Sequence, residues 1–207
     1  RRIAQGERIT AERIAKAIGI SIAPAREAIM ELASQGLLEY RPNVGAVVRR
    51  ITVKEVRQYM QLRLLIEPFA ASEAATNASL EKLMAIGEKL AVMSACDKEL
   101  AQVRNDPELF AQKALAMNTA DMNFHLAIFD AADNIALTRF ARQLTDCFYL
   151  FSVSEMWGST DPELFLERSP DTLETHTRIY HALRMRDAQQ AHDAVRQSLL
   201  SSGIFTT

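Results

Sequence analysis

Residues 11–36, "AERIAKAIGISIAPAREAIMELASQG", decide how the chain begins to fold. Thr10 can cap a helix over residues 11–18, and Gly19 ends that helix, because glycine readily adopts the left-handed backbone of a helix stop. Apolar residues at helical spacing predict the buried face of this helix: Ile14, Ala15 and Ile18. The stretch therefore opens with a short amphipathic helix.

The second half of the stretch predicts another helix after a turn of one residue, Ile20. Ser21 caps this helix, Pro24 is tolerated in its first turn, where amides have no intrahelical partner, and Gly36 ends it. Its predicted buried positions are Ala25, Ala28, Ile29, Leu32 and Ala33. Two helices joined by so short a turn cross steeply, so we expect a helix-turn-helix whose second helix projects outward.

The following residues 37–51, "LLEYRPNVGAVVRRI", change from helical to strand-like character. Two runs rich in β-forming residues flank a Pro-Asn-Val-Gly turn, which predicts a β-hairpin. A helix-turn-helix followed by a hairpin is a winged helix, and we expect it to form a first domain over residues 1–51. The alternative is a helical pair that packs for structural reasons only.

Charge is distributed unevenly around this boundary. Residues 1–50 contain nine Lys and Arg against five Asp and Glu, a net +4, whereas the whole chain has a net charge of −2. The rest of the chain is therefore acidic, with a net charge of −6. A basic start on an acidic body predicts that the first domain contacts a polyanion such as double-stranded DNA.

Composition places the chain among globular proteins and outside the membrane class. Hydrophobic residues make up 48% and charged residues 24% of the 207 residues, and no apolar run approaches the roughly 20 residues that span a bilayer. No signal peptide is visible, and the two cysteines, Cys96 and Cys147, form no CxxC pair. We therefore expect a cytoplasmic protein with free thiols.

From Thr52 onward the pattern is helical, without a strand signal. We expect residues 52–207 to form a second domain, an antiparallel bundle of about six helices, so the protein is mostly α. A loop over residues 158–170 separates the last two helices from the others. The predicted helices cover residues 52–76, 79–103, 107–134, 135–155, 171–186 and 187–202.

A candidate metal site lies in residues 120–134, "ADMNFHLAIFDAADN". Asp121 and His125 are four residues apart, so both side chains project from one face of a helix, about one turn from each other. Such a pair can bind a metal, but it is also compatible with a simple polar pair or a buried structural histidine. His176 strengthens the metal interpretation only if the fold brings it close.

The N-terminal sequence resembles the GntR family of bacterial transcription regulators. The resemblance rests on "AERIAKAIGISIAPAREAIMELASQGLLEYRPNVGAVV", residues 11–48, which match the order and spacing of the family's winged helix. It implies that a homodimer binds operator DNA and that a further helix precedes Arg1. The residues that it places at the DNA are Ser21, Ile22, Ala23, Pro24 and Arg26 at the start of the second helix, with Gly45 at the wing tip.

Within that resemblance, Arg26 is the best candidate for a contact with a base edge, because a guanidinium can pair with guanine through two donors. Two positions depart from the family pattern. Ile22 stands where an arginine is usual, and Val44 replaces a common basic residue before the wing glycine. We expect these departures to alter operator preference and weaken binding, although a regulator that has lost strong DNA binding is the alternative.

The C-terminal part resembles the FCD ligand-binding domain of the FadR-type subfamily of GntR regulators. The resemblance rests on "RLLIE" at residues 63–67, on the Asp and His of residues 120–134, and on "HTRIYHALRMRDAQQA" at residues 176–191. It implies a divalent metal, zinc, nickel or manganese, bound by Asp121, His125 and His176. The fourth family ligand would fall at Ser198, which is a poor ligand, so we expect a more open and weaker site.

Arg63 lies within an apolar helix and admits two interpretations. It can form a salt bridge with Glu67 at i+4, or it can reach into the bundle and bind the carboxylate of an effector. The second interpretation, prompted by the resemblance, predicts a regulator that responds to a small organic acid rather than an enzyme. A small metalloenzyme with an Asp/His/His centre is the rival, and a long acyl thioester is the alternative effector if metal is absent.

Overall fold

The helix-turn-helix forms at the expected positions. The computed structural model describes residues 3–42, 44–142 and 172–201, and in it α1 spans Ala11–Ile18 and α2 spans Ile22–Ser34. Thr10 caps α1 by accepting a hydrogen bond from the amide of Arg13, and Gly19 ends it with a φ of 75°. Ser21 occupies the cap position of α2, but its side chain makes no capping hydrogen bond.

The buried face of these two helices is narrower than the sequence pattern predicts. Ala15 and Ala25 are buried where α1 and α2 meet, and Ile29 joins the same core. Ile18, by contrast, is 64% exposed, and Ala28 and Leu32 are also exposed, so their predicted burial is wrong. Ile14 and Ala33, also predicted to be buried, are partly buried and pack against this core.

The predicted hairpin is part of a three-stranded antiparallel sheet. Strands β1 (Arg8–Ile9), β2 (Leu38–Arg41) and β3 (Gly45–Val48) pair in the order β1-β3-β2. Gly45 opens β3 with a φ of 96°, a conformation that favours glycine. The sequence pattern missed β1, because two residues are too few to show an alternating period.

The rest of the described chain is helical. Capping interactions start α3 and α4: Thr52 and Glu55 form a reciprocal capping box, and the side chain of Ser79 accepts a hydrogen bond from the amide of Lys82. A helical segment over residues 135–142 follows α5. The long helices are α3 (Val53–Asn77), α4 (Leu80–Gln102), α5 (Pro107–Ala131), α6 (Thr172–Arg184) and α7 (Ala188–Ser201).

Helix α5 ends three residues earlier than predicted. Asp133 adopts a positive φ of 55°, and the side chain of Asn134 accepts hydrogen bonds from the amides of Ala136 and Leu137. Asn134 therefore caps the following helix instead of extending α5. The remainder of the helix predicted over 135–155 and the loop predicted over 158–170 lie outside the described residues.

The helices enclose one apolar core. Helix α3 packs against α5, α6 and α7, while α4 packs against α5 and α6. Within the described residues, none of these helices combines the length and apolar character needed to cross a membrane. Large side chains that are fully buried include Met60, Ile86, Met93, Phe110, Phe124, Ile179, Leu183 and Val195.

Candidate metal centre and DNA-contacting surface

The polar groups buried in the described part of the chain concentrate at one point of the helical core. Glu67 comes from α3, His125 from α5, and Thr175 and His176 from α6. Asp121 lies one turn before His125 on α5 and is partly exposed. Buried polar residues are uncommon unless they are paired or bind a ligand, so this cluster is the leading candidate for a functional site.

The fold brings the three predicted metal ligands together. Nε2 of His176 lies 2.9 Å from Oδ1 of Asp121 and 3.2 Å from Nε2 of His125. Nε2 of His125 is 4.0 Å from the same oxygen of Asp121. Three atoms at these separations lie on a circle with a radius of about 2.0 Å, which matches the usual distance from zinc to imidazole nitrogen or carboxylate oxygen.

The other ring nitrogen of each histidine has a partner that faces away from this centre. Nδ1 of His125 lies 2.9 Å from Oε2 of Glu67, and Nδ1 of His176 lies 2.6 Å from the backbone oxygen of Thr172. Both partners are acceptors, so each Nδ1 carries the proton and donates it. Each Nε2 consequently faces Asp121. Without metal, Nε2 of His176 donates a proton to Oδ1 of Asp121, and a bound metal ion would take the place of that proton.

Phe124 restricts the orientation of both imidazole rings. Its ring meets the His176 ring edge-on at a centroid distance of 4.9 Å and the His125 ring at 5.7 Å. Phe124 itself is fully buried. An aromatic side chain fixed between the core and the two histidines limits their rotation, so the ligand atoms are held in place by packing as well as by hydrogen bonds.

Charge at the centre favours a bound cation. Burial raises the pKa of Asp121, but the hydrogen bond and charge of His176, with the charges of His125 and Arg63, outweigh burial and hold it well below its usual range. Burial also lowers the pKa of His176, yet the hydrogen bond and charge of Asp121 raise it overall. Asp121 is therefore a carboxylate that attracts a proton or a metal ion to the histidine pair.

Arg63 and Glu67 form a buried ion pair next to the centre. The guanidinium donates to both carboxylate oxygens of Glu67 across one helical turn. Burial raises the pKa of Glu67, but the charges of Arg63 and His125 lower it to about 2. The predicted salt bridge is thus present, and its burial distinguishes it from an exposed helical pair.

The donor set fits a divalent metal. Two lone pairs that face each other at 3.2 Å repel unless a proton or a cation lies between them. Two imidazoles and one carboxylate suit zinc, nickel and manganese alike. Of the remaining histidines, His181 is exposed and His192 forms a hydrogen bond with Asp193 on the surface, so neither joins the centre.

Most of the residues expected at the DNA are exposed on the first domain. Ile22 is 46% exposed at the first position of α2, and Val44 is exposed beside the wing glycine. Gly45 is partly buried at the start of β3. The other predicted contacts are exposed as well: Ser21, Ala23, Pro24 and Arg26.

Two features of the site were not predicted as parts of it. Glu67 was expected to pair with Arg63 alone, and Thr172 contributes through its backbone, which no side-chain pattern reveals. A signal for Glu67 does exist, because it is an acidic residue within the otherwise apolar run 64–71 of a long helix. A charge in such a run is buried and needs partners.

Two family models match the chain. The model described as "Bacterial regulatory proteins, gntR family" matches residues 1–48, and the model described as "FCD domain" matches residues 58–201. The first covers the helix-turn-helix with its sheet, and the second covers the helical bundle that contains the Asp121 centre.

Individual proteins agree with these matches. A "Probable D-xylose utilization operon transcriptional repressor" of Paenarthrobacter nicotinovorans is 30% identical over 194 residues, which are 94% of this chain and 76% of the relative. The HTH-type transcriptional repressor RspR of Escherichia coli (strain K12) is 25% identical over 203 residues, covering 95% and 78%. The structure of E. coli McbR/YncC has a TM-score of 0.74 at 20% identity, covering 96% of this chain and 85% of that one, and shows a shared fold.

Proposed function

Because the chain belongs to the GntR family of bacterial transcription regulators and carries an FCD domain, we propose that it controls transcription as a ligand-responsive homodimer. Family membership argues against the metalloenzyme alternative, because the relatives are transcription regulators. The observation that carries the ligand-responsive part is the convergence of Asp121, His125 and His176 inside the helical domain. We place the boundary between the two domains at residues 51 and 52.

The winged helix binds operator DNA in this proposal. The start of α2 enters the major groove, where Arg26 pairs with a guanine and Ser21 contacts a phosphate. Gly45 lets the wing approach the phosphate backbone of the DNA, because glycine carries no side chain. Two copies present two such helices to a palindromic site, which is the geometry that helix-turn-helix dimers use on DNA in the cytoplasm.

Ile22 and Val44 weaken the affinity of this surface for DNA and alter the operator sequence that it prefers. Both are exposed, so neither is needed to fill the core of the first domain. An isoleucine can contact the methyl group of a thymine but cannot donate a hydrogen bond, and each lost base contact costs about 1–3 kcal/mol. The second candidate is therefore a regulator that senses a ligand but binds DNA poorly.

The helical domain binds a divalent metal through Asp121, His125 and His176. The separations of their ligand atoms and the outward hydrogen bonds of both histidines support this assignment. A bound zinc, nickel or manganese ion would supply positive charge and open coordination positions for an acidic ligand. Ser198, a residue of α7, stands at the sequence position where the family resemblance expects a fourth ligand, and a serine there would leave the site open.

The effector is a small organic acid in this proposal, and Arg63 is its second anchor. Arg63 is close enough to the centre for its charge to act on Asp121. A carboxylate that reaches the metal would therefore meet a guanidinium on the side of α3. Glu67 already accepts two hydrogen bonds from Arg63, so the acid would share this arginine with Glu67.

Effector binding would change the spacing or mobility of the two winged helices and thereby change operator affinity. The test uses a mobility shift of DNA from upstream of the protein's own gene, with divalent metal and a set of organic acids. We expect His176→Ala to retain the shift but lose both metal binding and the response to acid. His181→Ala, five residues further along α6 and exposed, is the matched control and should behave like the unaltered protein.

Either of two results would contradict the proposal. A His176→Ala protein that responds normally would exclude the metal centre as the effector site. A protein that binds metal and acid but produces no shift on any upstream fragment would favour the second candidate, the regulator with weak DNA binding.

A further inference from the structure

The environment of His125 differs from that of its partner His176 in one respect. Nδ1 of His176 donates to a backbone oxygen, that of Thr172, which any residue at that position would supply. Nδ1 of His125 donates to a side chain, Glu67, which is 5% exposed and comes from a different helix. The orientation of His125 therefore depends on the identity of one residue on α3.

We propose that Glu67 is the positioning residue of the metal centre, which fixes the tautomer and orientation of His125 so that its Nε2 lone pair faces Asp121 and His176. This inference rests on the proposed function, because it assigns a role around the same centre. Glu67 would not be a ligand of the ion, because it contacts the opposite ring nitrogen of His125. It acts through His125 at 2.9 Å, as carboxylates behind metal-ligating histidines do.

Arg63 makes this arrangement rigid. Its two hydrogen bonds to Glu67 occupy both carboxylate oxygens, so the carboxylate plane is held between the guanidinium and the imidazole. The pair is buried, and rotation of Glu67 would leave a buried charge without its partner. The three side chains thus form a fixed chain from Arg63 through Glu67 to His125.

A carboxylate in this place differs from an amide in a measurable way. Ionised Glu67 only accepts, so it permits a single tautomer of His125, with the proton on Nδ1. The amide of a Glu67→Gln variant can rotate and either accept from Nδ1 or donate to it. The variant should therefore mix the two tautomers of His125 and leave His176 unchanged.

The first experiment reads the tautomers without any metal. Long-range ¹H–¹⁵N correlation spectra of the full chain distinguish protonated from unprotonated ring nitrogens of His125 and His176. We expect a protonated Nδ1 on His125 in the unaltered protein and a mixture in Glu67→Gln, with the His176 signals unchanged as evidence that the fold persists. A His125 tautomer that is the same in both proteins would overturn the proposal.

The second experiment measures Zn²⁺ affinity by competition with a chromogenic chelator. Glu67→Gln should bind Zn²⁺ about 10–100-fold more weakly than the unaltered chain. Glu99→Gln is the matched control, because it removes an ion pair with Lys113 between α4 and α5 and should retain full affinity. Equal affinity of Glu67→Gln and the unaltered protein would overturn the proposal.

A third variant covers the case in which Glu67→Gln does not fold. The double variant Arg63→Met with Glu67→Leu replaces the buried pair with apolar residues of similar size, which folded proteins often tolerate. It should show the same mixed tautomer and the same 10–100-fold loss of Zn²⁺ affinity. If the unaltered chain binds no divalent metal, the metal part of the proposed function fails, while the tautomer experiment still decides whether Glu67 positions His125.

Discussion

Gly87 on α4 faces Tyr180 on α6, and this contact predicts how the two helices respond to a single added methyl group. A Cβ atom at Gly87 would lie 2.8 Å from Cζ of Tyr180 and closer still to its hydroxyl oxygen. Real Cβ atoms essentially never approach within 3.0 Å of another heavy atom. The tyrosine ring would have to move by roughly 0.6 Å or more to reach ordinary contact, so Gly87→Ala overpacks the interface between α4 and α6.

Two effects of opposite sign determine the result. Replacing glycine with alanine inside a helix favours folding by about 1 kcal/mol, whereas overpacking a packed contact, here between two partly buried residues, typically costs about 1–3 kcal/mol. Both the hydroxyl oxygen of Tyr180 and the ring carbon that carries it would be too close to the added Cβ atom, so the rigid ring must shift as a unit. We expect Gly87→Ala to lower the free energy of unfolding by about 1 kcal/mol, equivalent to a fall in Tm of about 3 °C.

A double-mutant cycle separates the two effects. In a Tyr180→Leu background the clash is absent, and Gly87→Ala should then stabilise the protein by about 1 kcal/mol. Thermal and urea unfolding of the four proteins would give a coupling free energy of about 2 kcal/mol. If Gly87→Ala stabilises the unaltered protein as much as it stabilises the Tyr180→Leu protein, the reasoning is wrong.

The same substitution should reach the metal centre. Tyr180 follows His176 by one turn on α6, so a displaced ring shifts the segment that carries this ligand. His176 lies 2.9 Å from Asp121, and a shift of a few tenths of an ångström disturbs that geometry. Gly87→Ala should therefore weaken Zn²⁺ binding, and Tyr180→Leu should restore part of the affinity to the double variant.

Three further predictions concern the first domain and the expected position of a fourth metal ligand. Arg26→Ala should weaken operator binding by about 1–3 kcal/mol in an anisotropy titration without changing Tm, because Arg26 is exposed; unchanged affinity would exclude it as a base contact. Thr10→Ala should lower the free energy of unfolding by about 1 kcal/mol, because Thr10 caps α1. Ser21→Ala should change the free energy of unfolding little, because Ser21 makes no capping hydrogen bond, but it should lower DNA affinity. Ser198→His should tighten Zn²⁺ binding in the chelator competition, and an unaltered affinity would show that α7 does not bring this position to the centre.

Local signals account for the parts of the fold that the sequence predicts well. The caps at Thr10 and Thr52 and the stop at Gly19 depend on residues within a few positions of each helix end, so they are visible in the sequence itself. The end of α5 was misplaced because Asn134 can continue one helix or cap the next, and the choice depends on backbone geometry at Asp133. Strand β1 was missed because its only signal is its pairing with β3.

Local sequence signals likewise predict only a part of the candidate site. Asp121 and His125 follow from helical spacing, but the approach of His176 depends on how α6 packs against the rest of the bundle, which periodicity does not specify. Only the family resemblance joined His176 to the pair. The apolar run around Glu67 indicates that this residue is buried with a partner, but only the structure shows that His125 is a partner as well as Arg63.

The exposed apolar residues Ile18 and Leu32 illustrate the limit of the periodic argument. Helical spacing identifies an apolar stripe, but the width of the buried contact depends on the partner surface. Here Ala15 of α1 and Ala25 and Ile29 of α2 join the buried cluster of the first domain, whereas Ile18 and Leu32 remain exposed. The same pattern against larger partners would bury more of the stripe.

The most direct test of the account is thermal stabilisation of the metal-stripped chain across a grid of divalent metals, small organic acids and acyl thioesters. A ligand that binds only the folded state raises Tm, and the stabilisation grows with the logarithm of ligand concentration above Kd. The account predicts that zinc, nickel or manganese stabilises the protein alone and that an organic acid stabilises it further only when metal is present. Stabilisation by an acid or a thioester to the same extent without metal would contradict it and would leave Arg63 and the surrounding core to recognise the effector.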